Sequence, residues 1–114
     1  MGHIPFTNRS DLDTAINAWI ANEAAASNTY GDINTWNVSA ITNFKTLFRN
    51  KTSFNSDISN WDVSNGTNFQ GMFHDGNFLG GFNQDIGNWD VSNGTNFSQM
   101  FYQSQFNQDI SNWD

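Results

Sequence analysis

The sequence predicts an α/β repeat solenoid, a leucine-rich-repeat-like coil with short parallel strands, short helical turns and an N-terminal capping α-helix. Three observations predict it. An Asp-Ile-x-x-Trp motif recurs with Trp-to-Trp spacings of 25, 28 and 24 residues, a period typical of solenoids of this size. Each complete motif continues as apolar–polar–apolar, which indicates a short strand. Apolar residues at helical spacing then follow, as at Phe69, Met72 and Phe73.

The repeats occupy residues 29–114, about three and a half units of 24–28 residues, in the same domain as residues 1–28. The motif begins at Asp32, Asp57, Asp85 and Asp109. The first three copies continue into Thr-Asn-Phe-x-x-(Met/Leu)-Phe, which begins at Thr42, Thr67 and Thr95. The longest spacing comes from extra residues at 77–81. We expect this insertion to be a surface bulge on a return loop.

The predicted core is aromatic. In a strand, the Trp and Val of Trp-Asp-Val point inward and the residue between them points outward. Stacking of the repeats then places like residues in columns. The predicted core residues are Trp36, Trp61, Trp89, Trp113, Ile58, Ile86, Val63, Val91, Phe69, Phe97, Phe73 and Phe101.

A single amphipathic helix is predicted from about Asp11 to Ala26. Ser10 to Asp13 resembles a capping box, and the apolar face contains Leu12, Ala15, Ile16, Trp19 and Ile20. This helix suits the cap that a solenoid needs over its first repeat. The C-terminal end has no such cover over Ile110 and Trp113, so we expect a homodimer through that end.

Composition and charge restrict the partners. The chain has 4 basic and 11 acidic residues, a net charge of −7 and no Cys. This acidity argues against nucleic acid as a partner. No apolar run approaches the roughly 18 residues of a membrane span, and the N-terminus does not read as a signal peptide.

The polar columns contain the candidate binding residues. Asp32, Asp57, Asp85 and Asp109 are expected to accept hydrogen bonds from backbone amides in tight turns. The predicted binding face is the outward side of the strands, and it contains Asn37, Asn60, Asp62, Ser64, Asn88, Asp90 and Ser92. Like charges at Asp62 and Asp90 should repel, and a calcium ion that relieves this repulsion is an open alternative. No other cofactor or metal is predicted.

No catalytic residue is predicted, because no nucleophile is paired with a base. The two histidines are His3, near the N-terminus, and His74, beside the insertion. We interpret the His74-Asp75 pair as a solvated loop rather than as an acid–base or metal site.

The units resemble the BspA-like bacterial surface-protein repeats, in which Phe-Asn-x-Asp-Ile-x-x-Trp-Asp-Val-Ser and Thr-Asn-Met-x-x-Met-Phe recur. The resemblance covers about Tyr30 to Asp114. It implies a right-handed coil displayed on a cell or virus surface, acting in adhesion or recognition and not as an enzyme. The chain departs from the pattern at Gly66 and Gly94, where Val is usual. It also has Phe44, Phe69 and Phe97 where Met is common.

Two classes of function follow from these features. The first is a surface-displayed, non-enzymatic module that binds a protein or cell-surface ligand through its polar acidic face. Its localisation would be the cell surface, the extracellular space or a virion. The alternative is a structural spacer or assembly element of a surface layer or virion fibre, which would associate end to end without a soluble ligand.

Overall fold

Two short helices open the described part of the chain. The computed structural model describes residues 5–74, 81–104, 106–111 and 113. Helix α1 spans Arg9–Ala21, helix α2 spans Glu23–Tyr30, and a 3₁₀ turn spans Ile33–Thr35. The N-cap of α1 is Asn8, whose side chain accepts a hydrogen bond from the backbone N–H of Asp11 at 2.8 Å. The capping box predicted at Ser10 is therefore wrong, and α1 begins earlier than expected.

The predicted single helix is interrupted at Asn22. This residue has an extended backbone, with φ −158° and ψ 93°, and it caps both helices. Its N–H donates to the carbonyl of Ala18, and its side chain accepts from the N–H of Ala25. A short amide side chain competes in this way with the helical hydrogen bonds, so one predicted helix becomes two.

The apolar face of α1 packs on the first repeat. Leu12, Ala15, Ile16 and Trp19 are buried, and Ile20 is partly buried against the core. The Trp19 ring meets the Trp36 ring edge to face at 5.9 Å. The Trp19 indole N–H also donates to the Ser56 hydroxyl at 3.0 Å, which links α1 to the second repeat.

The α/β solenoid predicted from the sequence is wrong. The described residues form a compact globule with a radius of gyration of 13.3 Å and contain two helices and no β-strand. Among these residues, only isolated parallel bridges join Asn43 to Asn68 and Asn68 to Asn96. Around Trp-Asp-Val, the hydrogen bonds between repeats involve a side chain as donor or acceptor: the Trp61 indole N–H donates to the Ile33 carbonyl, and the Asn60 N–H donates to Asn34 Oδ1. A backbone ladder, which defines a strand, does not form there.

The predicted helical turns are also absent. The apolar spacing after each Thr-Asn-Phe belongs to three turn segments, residues 43–50, 68–74 and 96–104. In the second, the N–H groups of Phe69 and Phe73 donate to the following repeat. The N–H of Met72 donates three residues back to Phe69, and Gly71 has a φ of +59°. An α-helix needs each N–H to bond four residues back, and a 3₁₀-helix needs consecutive bonds three residues back, so this alternation excludes both.

Residues at equivalent positions of successive repeats nevertheless stack on one another, as the sequence repeat predicts. Ring centroids lie 5.4 Å apart for Phe44–Phe69, 5.2 Å for Phe69–Phe97, 5.4 Å for Phe48–Phe73 and 5.5 Å for Phe73–Phe101. Of the predicted core residues, nine are buried: Trp36, Trp61, Trp89, Ile58, Ile86, Val63, Val91, Phe69 and Phe73. Phe97, Phe101 and Trp113 are partly buried against this core.

The insertion lies mostly outside the described residues. Of residues 77–81, only Gly81 is described, and its N–H donates to the Thr52 carbonyl at 3.0 Å. The predicted surface bulge therefore stays a prediction.

Candidate recognition surface

The alternation of burial around each Trp is the origin of the candidate surface. Trp61 and Val63 are buried, at 3% and 1% exposure, and Asp62 between them is exposed. The same order holds at Trp89, Asp90 and Val91. The predicted alternation of inward and outward side chains is therefore correct for these residues, although they do not form a strand.

Each outward acidic side chain is held by the serine two residues later. Oδ1 of Asp62 accepts hydrogen bonds from the N–H and the hydroxyl of Ser64, at 3.0 and 2.5 Å. Oδ1 of Asp90 accepts the same pair from Ser92, at 3.0 and 2.6 Å. The Ser92 hydroxyl, and then its N–H, lower the pKa of Asp90 below its ordinary value of 3.8 because they stabilise the charged carboxylate. Asp90 thus remains ionised in mildly acidic solution.

A second acidic column lies at the start of each motif. Asp32, Asp57, Asp85 and Asp109 each accept a hydrogen bond from the N–H two residues on, at 2.8–2.9 Å. Their predicted role in tight turns is confirmed. The N–H of Ser111, and then its hydroxyl, lower the pKa of Asp109. These four carboxylates therefore stabilise the turns and also contribute negative charge to the surface.

The predicted binding-face residues lie at matching positions of three consecutive repeats. Ser64 is partly exposed and the other six are exposed: Asn37, Asn60, Asp62, Asn88, Asp90 and Ser92. Hydrogen bonds between repeats hold the surface in place, from the Asn60 N–H to Asn34 Oδ1 at 2.8 Å and from Asn65 Nδ2 to the Ser39 carbonyl at 2.7 Å. We name the seven residues the recognition face.

A ladder of Asn side chains is a feature that the sequence analysis missed. Oδ1 of Asn55 accepts from the N–H of Asn83, and Oδ1 of Asn83 accepts from the N–H of Asn107, both at 2.8 Å. The Gln84 side chain adds a hydrogen bond to the Asn55 carbonyl at 3.0 Å. The available signal was the Asn after Phe54, Phe82 and Phe106. These amides join repeats and are structural.

Three of the four basic residues lie on another part of the first repeat, and the fourth, Arg9, lies on α1 and pairs with Asp13. Lys45 and Arg49 are exposed on the turn segment of that repeat and Lys51, just after it, is partly exposed. The Asp residues described above lie on the segments around the Trp residues instead. The surface thus has an acidic side that follows all the repeats and a small basic area on the first one.

His74 packs against Tyr102 in the next repeat. The two rings stack with centroids 5.1 Å apart, and the buried Nδ1 of His74 has no hydrogen-bond partner among the described residues. His3 and Asp75 lie outside those residues. Over the described ranges, no three His, Asp or Glu residues lie close enough to hold a metal ion. His74 is thus a packing residue here.

The comparison with protein families matches residues 16–114 to a family described as "Mycoplasma protein of unknown function, DUF285". The chain belongs to the DUF285 family. The match includes the C-terminal part of α1 from Ile16, the whole of α2 and all the repeats, so the recognition face lies within the DUF285 region. The comparisons with curated proteins and with solved structures find no match. Neither of the helices described for this DUF285 chain has the length and apolar character to cross a bilayer.

Proposed function

We propose that this chain is a surface-displayed, non-enzymatic repeat module that binds a protein or cell-surface ligand through the recognition face. The supporting observation is the fixed geometry of Asp62 and Asp90. Each carboxylate is oriented by two hydrogen bonds from one serine. A ligand that meets such side chains finds them already ordered, which lowers the entropic cost of binding.

The chemistry of the face indicates the class of partner. Exposed carboxylates alternate with amides and hydroxyls, so the face favours a partner with cationic groups and hydrogen-bond donors. Single contacts of this kind are weak, and repetition along several repeats adds them together. The resemblance to BspA-like repeats, which concerns the motifs of residues 30–114, supports an adhesive role at the cell surface, in the extracellular space or on a virion.

The test is adhesion of beads coated with the chain to intact cultured cells, at several salt concentrations. The double variant Asp62→Asn/Asp90→Asn should stay folded, because Asn37 at the equivalent position of the first repeat accepts the same two hydrogen bonds from Ser39. It should lose most of its adhesion, and the remaining adhesion should depend less on salt. The matched control is Asp11→Asn/Glu23→Gln, which removes the same charge from exposed positions on the helices and should adhere normally. Equal losses in both variants would contradict the proposal.

A structural spacer is the second candidate, and the Asn ladder supports it. Asn side chains that join three successive units through Asn55, Asn83 and Asn107, with bonds of 2.8 Å, suit a module that transmits load along its length. In this case beads would not adhere to cells, and both double variants would behave alike. Adhesion that is abolished by the Asp62→Asn/Asp90→Asn change alone would exclude the spacer as the main role.

A further inference from the structure

Two Asn residues of the repeats directly precede a glycine. Of the 19 Asn residues in the chain, Asn65 and Asn93 alone do so. In an Asn-Gly pair the backbone nitrogen of the Gly can reach the side-chain amide of the Asn, because Gly has no Cβ to block the approach. The sequence therefore places a reactive amide at equivalent positions of the second and third repeats.

The packing of the repeats requires both residues of such a pair. A Cβ atom at position 66 would lie 2.5 Å from Phe69 Cζ and 2.9 Å from Phe44 Cδ2, so this position needs Gly. The Asn65 side chain joins the second repeat to the first, because its Nδ2 donates to the Ser39 carbonyl at 2.7 Å. The fold thus selects Asn and Gly at neighbouring positions for separate reasons.

The two nitrogen atoms that would react at Asn65 are both held by hydrogen bonds. The attacking atom is the backbone nitrogen of Gly66, a buried residue whose N–H donates to the Val63 carbonyl at 2.8 Å. The leaving atom is Nδ2 of Asn65, which is bonded to the Ser39 carbonyl. Because the side chain must turn toward a backbone nitrogen that has lost its proton, both hydrogen bonds have to break before the reaction.

The pair in the third repeat has the same arrangement. Nδ2 of Asn93 donates to the Ser64 carbonyl at 2.7 Å, and the N–H of Gly94 donates to the Val91 carbonyl at 2.9 Å. At both sites the Asn side chain bonds the preceding repeat. Separation of two neighbouring repeats therefore frees the amide.

We propose that Asn65 and Asn93 are deamidation sites that the folded repeats protect, and that deamidation makes the opening of a repeat permanent. In the opened repeat, the Gly nitrogen loses its proton to solvent and bonds to Cγ of the Asn. The Cγ–Nδ2 bond breaks, ammonia leaves and a cyclic imide remains. Water then opens the imide at either carbonyl and gives an aspartyl or an isoaspartyl residue. This chemistry is separate from ligand binding and goes beyond the proposed function.

Neither product restores the contact with the preceding repeat. An ionised carboxylate only accepts hydrogen bonds, so at position 65 it meets the Ser39 carbonyl oxygen without a donor. The isoaspartyl product also routes the backbone through Cβ. It lengthens the chain at the point where Gly66 lies close to the rings of Phe44 and Phe69. A repeat that has reacted therefore cannot close again.

The first test compares reaction rates at one slightly alkaline pH. The 114-residue chain is incubated in native buffer and in guanidinium chloride, beside a free peptide of residues 60–70, and peptide mapping by mass spectrometry follows each Asn. In denaturant both sites should react as fast as the peptide. In native buffer they should react more than about 10-fold more slowly, because the reaction then needs an opening of the repeat. Equal rates in native buffer and in denaturant would overturn the proposal.

The second test asks whether the reacted chain refolds. Samples held in denaturant for increasing times are returned to native buffer, and the refolded fraction should fall in step with the loss of Asn65 and Asn93. Samples held in mildly acidic denaturant, where the Gly nitrogen keeps its proton, should refold fully after the same times. Full refolding of the deamidated chain would overturn the proposal, and so would an equal loss of refolding in acid without deamidation.

The matched variant is Asn65→Ala/Asn93→Ala, because Ala40 occupies the equivalent position of the first repeat. This variant should keep its refolding yield after long incubation in alkaline denaturant. A loss as large as that of the wild type would show that another reaction is the cause. The acidic control uses the wild-type sequence, so the outcome does not depend on the folding of the variant. Neither test involves adhesion to cells, so the proposed function is tested separately.

Discussion

The indole N–H of Trp61 donates a hydrogen bond to the carbonyl of Ile33, one repeat earlier, across 2.7 Å. The same relationship joins Trp89 to Ile58 and Trp113 to Ile86, each at 3.0 Å. Each of these side chains therefore fills the core and at the same time ties its repeat to the previous one.

Changing Trp61 to Phe separates these two roles. The phenyl ring keeps most of the packing, and the loss of the buried donor should lower the free energy of unfolding by about 1–3 kcal/mol. Trp61→Ala removes the packing as well and should cost roughly 3–5 kcal/mol. Urea denaturation measures both values. A cost below about 1 kcal/mol for the Ala variant would contradict the buried position of this ring.

Gly66 allows two Phe rings to approach the backbone. A Cβ atom at this position would lie 2.5 Å from Phe69 Cζ and 2.9 Å from Phe44 Cδ2. Gly66→Ala should therefore destabilise the protein by about 1–3 kcal/mol, as overpacking does. The control is Gly81→Ala, whose Cβ would come no closer than 3.3 Å to the Thr52 carbonyl. If thermal unfolding shows equal costs for the two variants, close packing is not the reason for the Gly at position 66.

Thr46 has a φ of +55°, which is unfavourable for a β-branched residue. The equivalent position in the second repeat is Gly71, with a φ of +59°. Thr46→Gly should relieve the strain and stabilise the protein by about 1 kcal/mol after the entropic cost of Gly. The reverse change, Gly71→Thr, should destabilise it by roughly 1–3 kcal/mol. Chemical denaturation that shows the opposite order would contradict strain at this position.

Ser92→Ala should make stability less dependent on pH. The pKa of Asp90 is lowered in the folded protein by its hydrogen bonds from Ser92. This contribution is present above the unfolded pKa, ordinarily 3.8, and is lost as the pH falls through the lower folded value. The variant should therefore be destabilised at neutral pH and approach the wild type in strong acid. Urea denaturation at each of these two pH values measures the difference.

Ser98→Ala is the matched control for this effect. The Ser98 hydroxyl donates to Oδ1 of Asn96 at 2.5 Å, in the same local geometry but to an amide that does not titrate. Ser98→Ala should lower the free energy of unfolding by the same amount at both pH values. Parallel pH dependence of the two variants would show that the Asp90 carboxylate is not the cause.

The sequence predicts burial in this protein better than it predicts hydrogen bonding. Trp61 inward, Asp62 outward and Val63 inward follow from the alternation of apolar and polar residues, and the structure agrees. The same alternation also predicts a strand, and this is wrong because Trp and Asn side chains supply the bonds between repeats there. Apolar periodicity reports which side of the backbone is buried and does not report what the backbone bonds to.

The segments predicted to be helical show that apolar spacing predicts burial but not backbone conformation. The spacing of Phe69, Met72 and Phe73 predicts a helical turn, and all three are buried. Apolar spacing gives no indication of the positive φ at Gly71. The equivalent residues in the other repeats, Thr46 and Gln99, are not residue types that favour a positive φ. In α1, the double capping by Asn22 follows from its side-chain chemistry, and the apolar face alone gives no sign of the break.

The alternating donors of the turn segments have a consequence for how the protein unfolds. Half of the N–H groups in such a segment are satisfied only when the next repeat is folded. A repeat that opens therefore leaves its predecessor with unpaired donors and removes the rings stacked on it, so opening favours further opening. Because each repeat depends on the next one in this way, the repeats should unfold together as one cooperative unit. The first repeat, anchored by α1 through Trp19 and Trp36, is then the part of the array that should order first and open last.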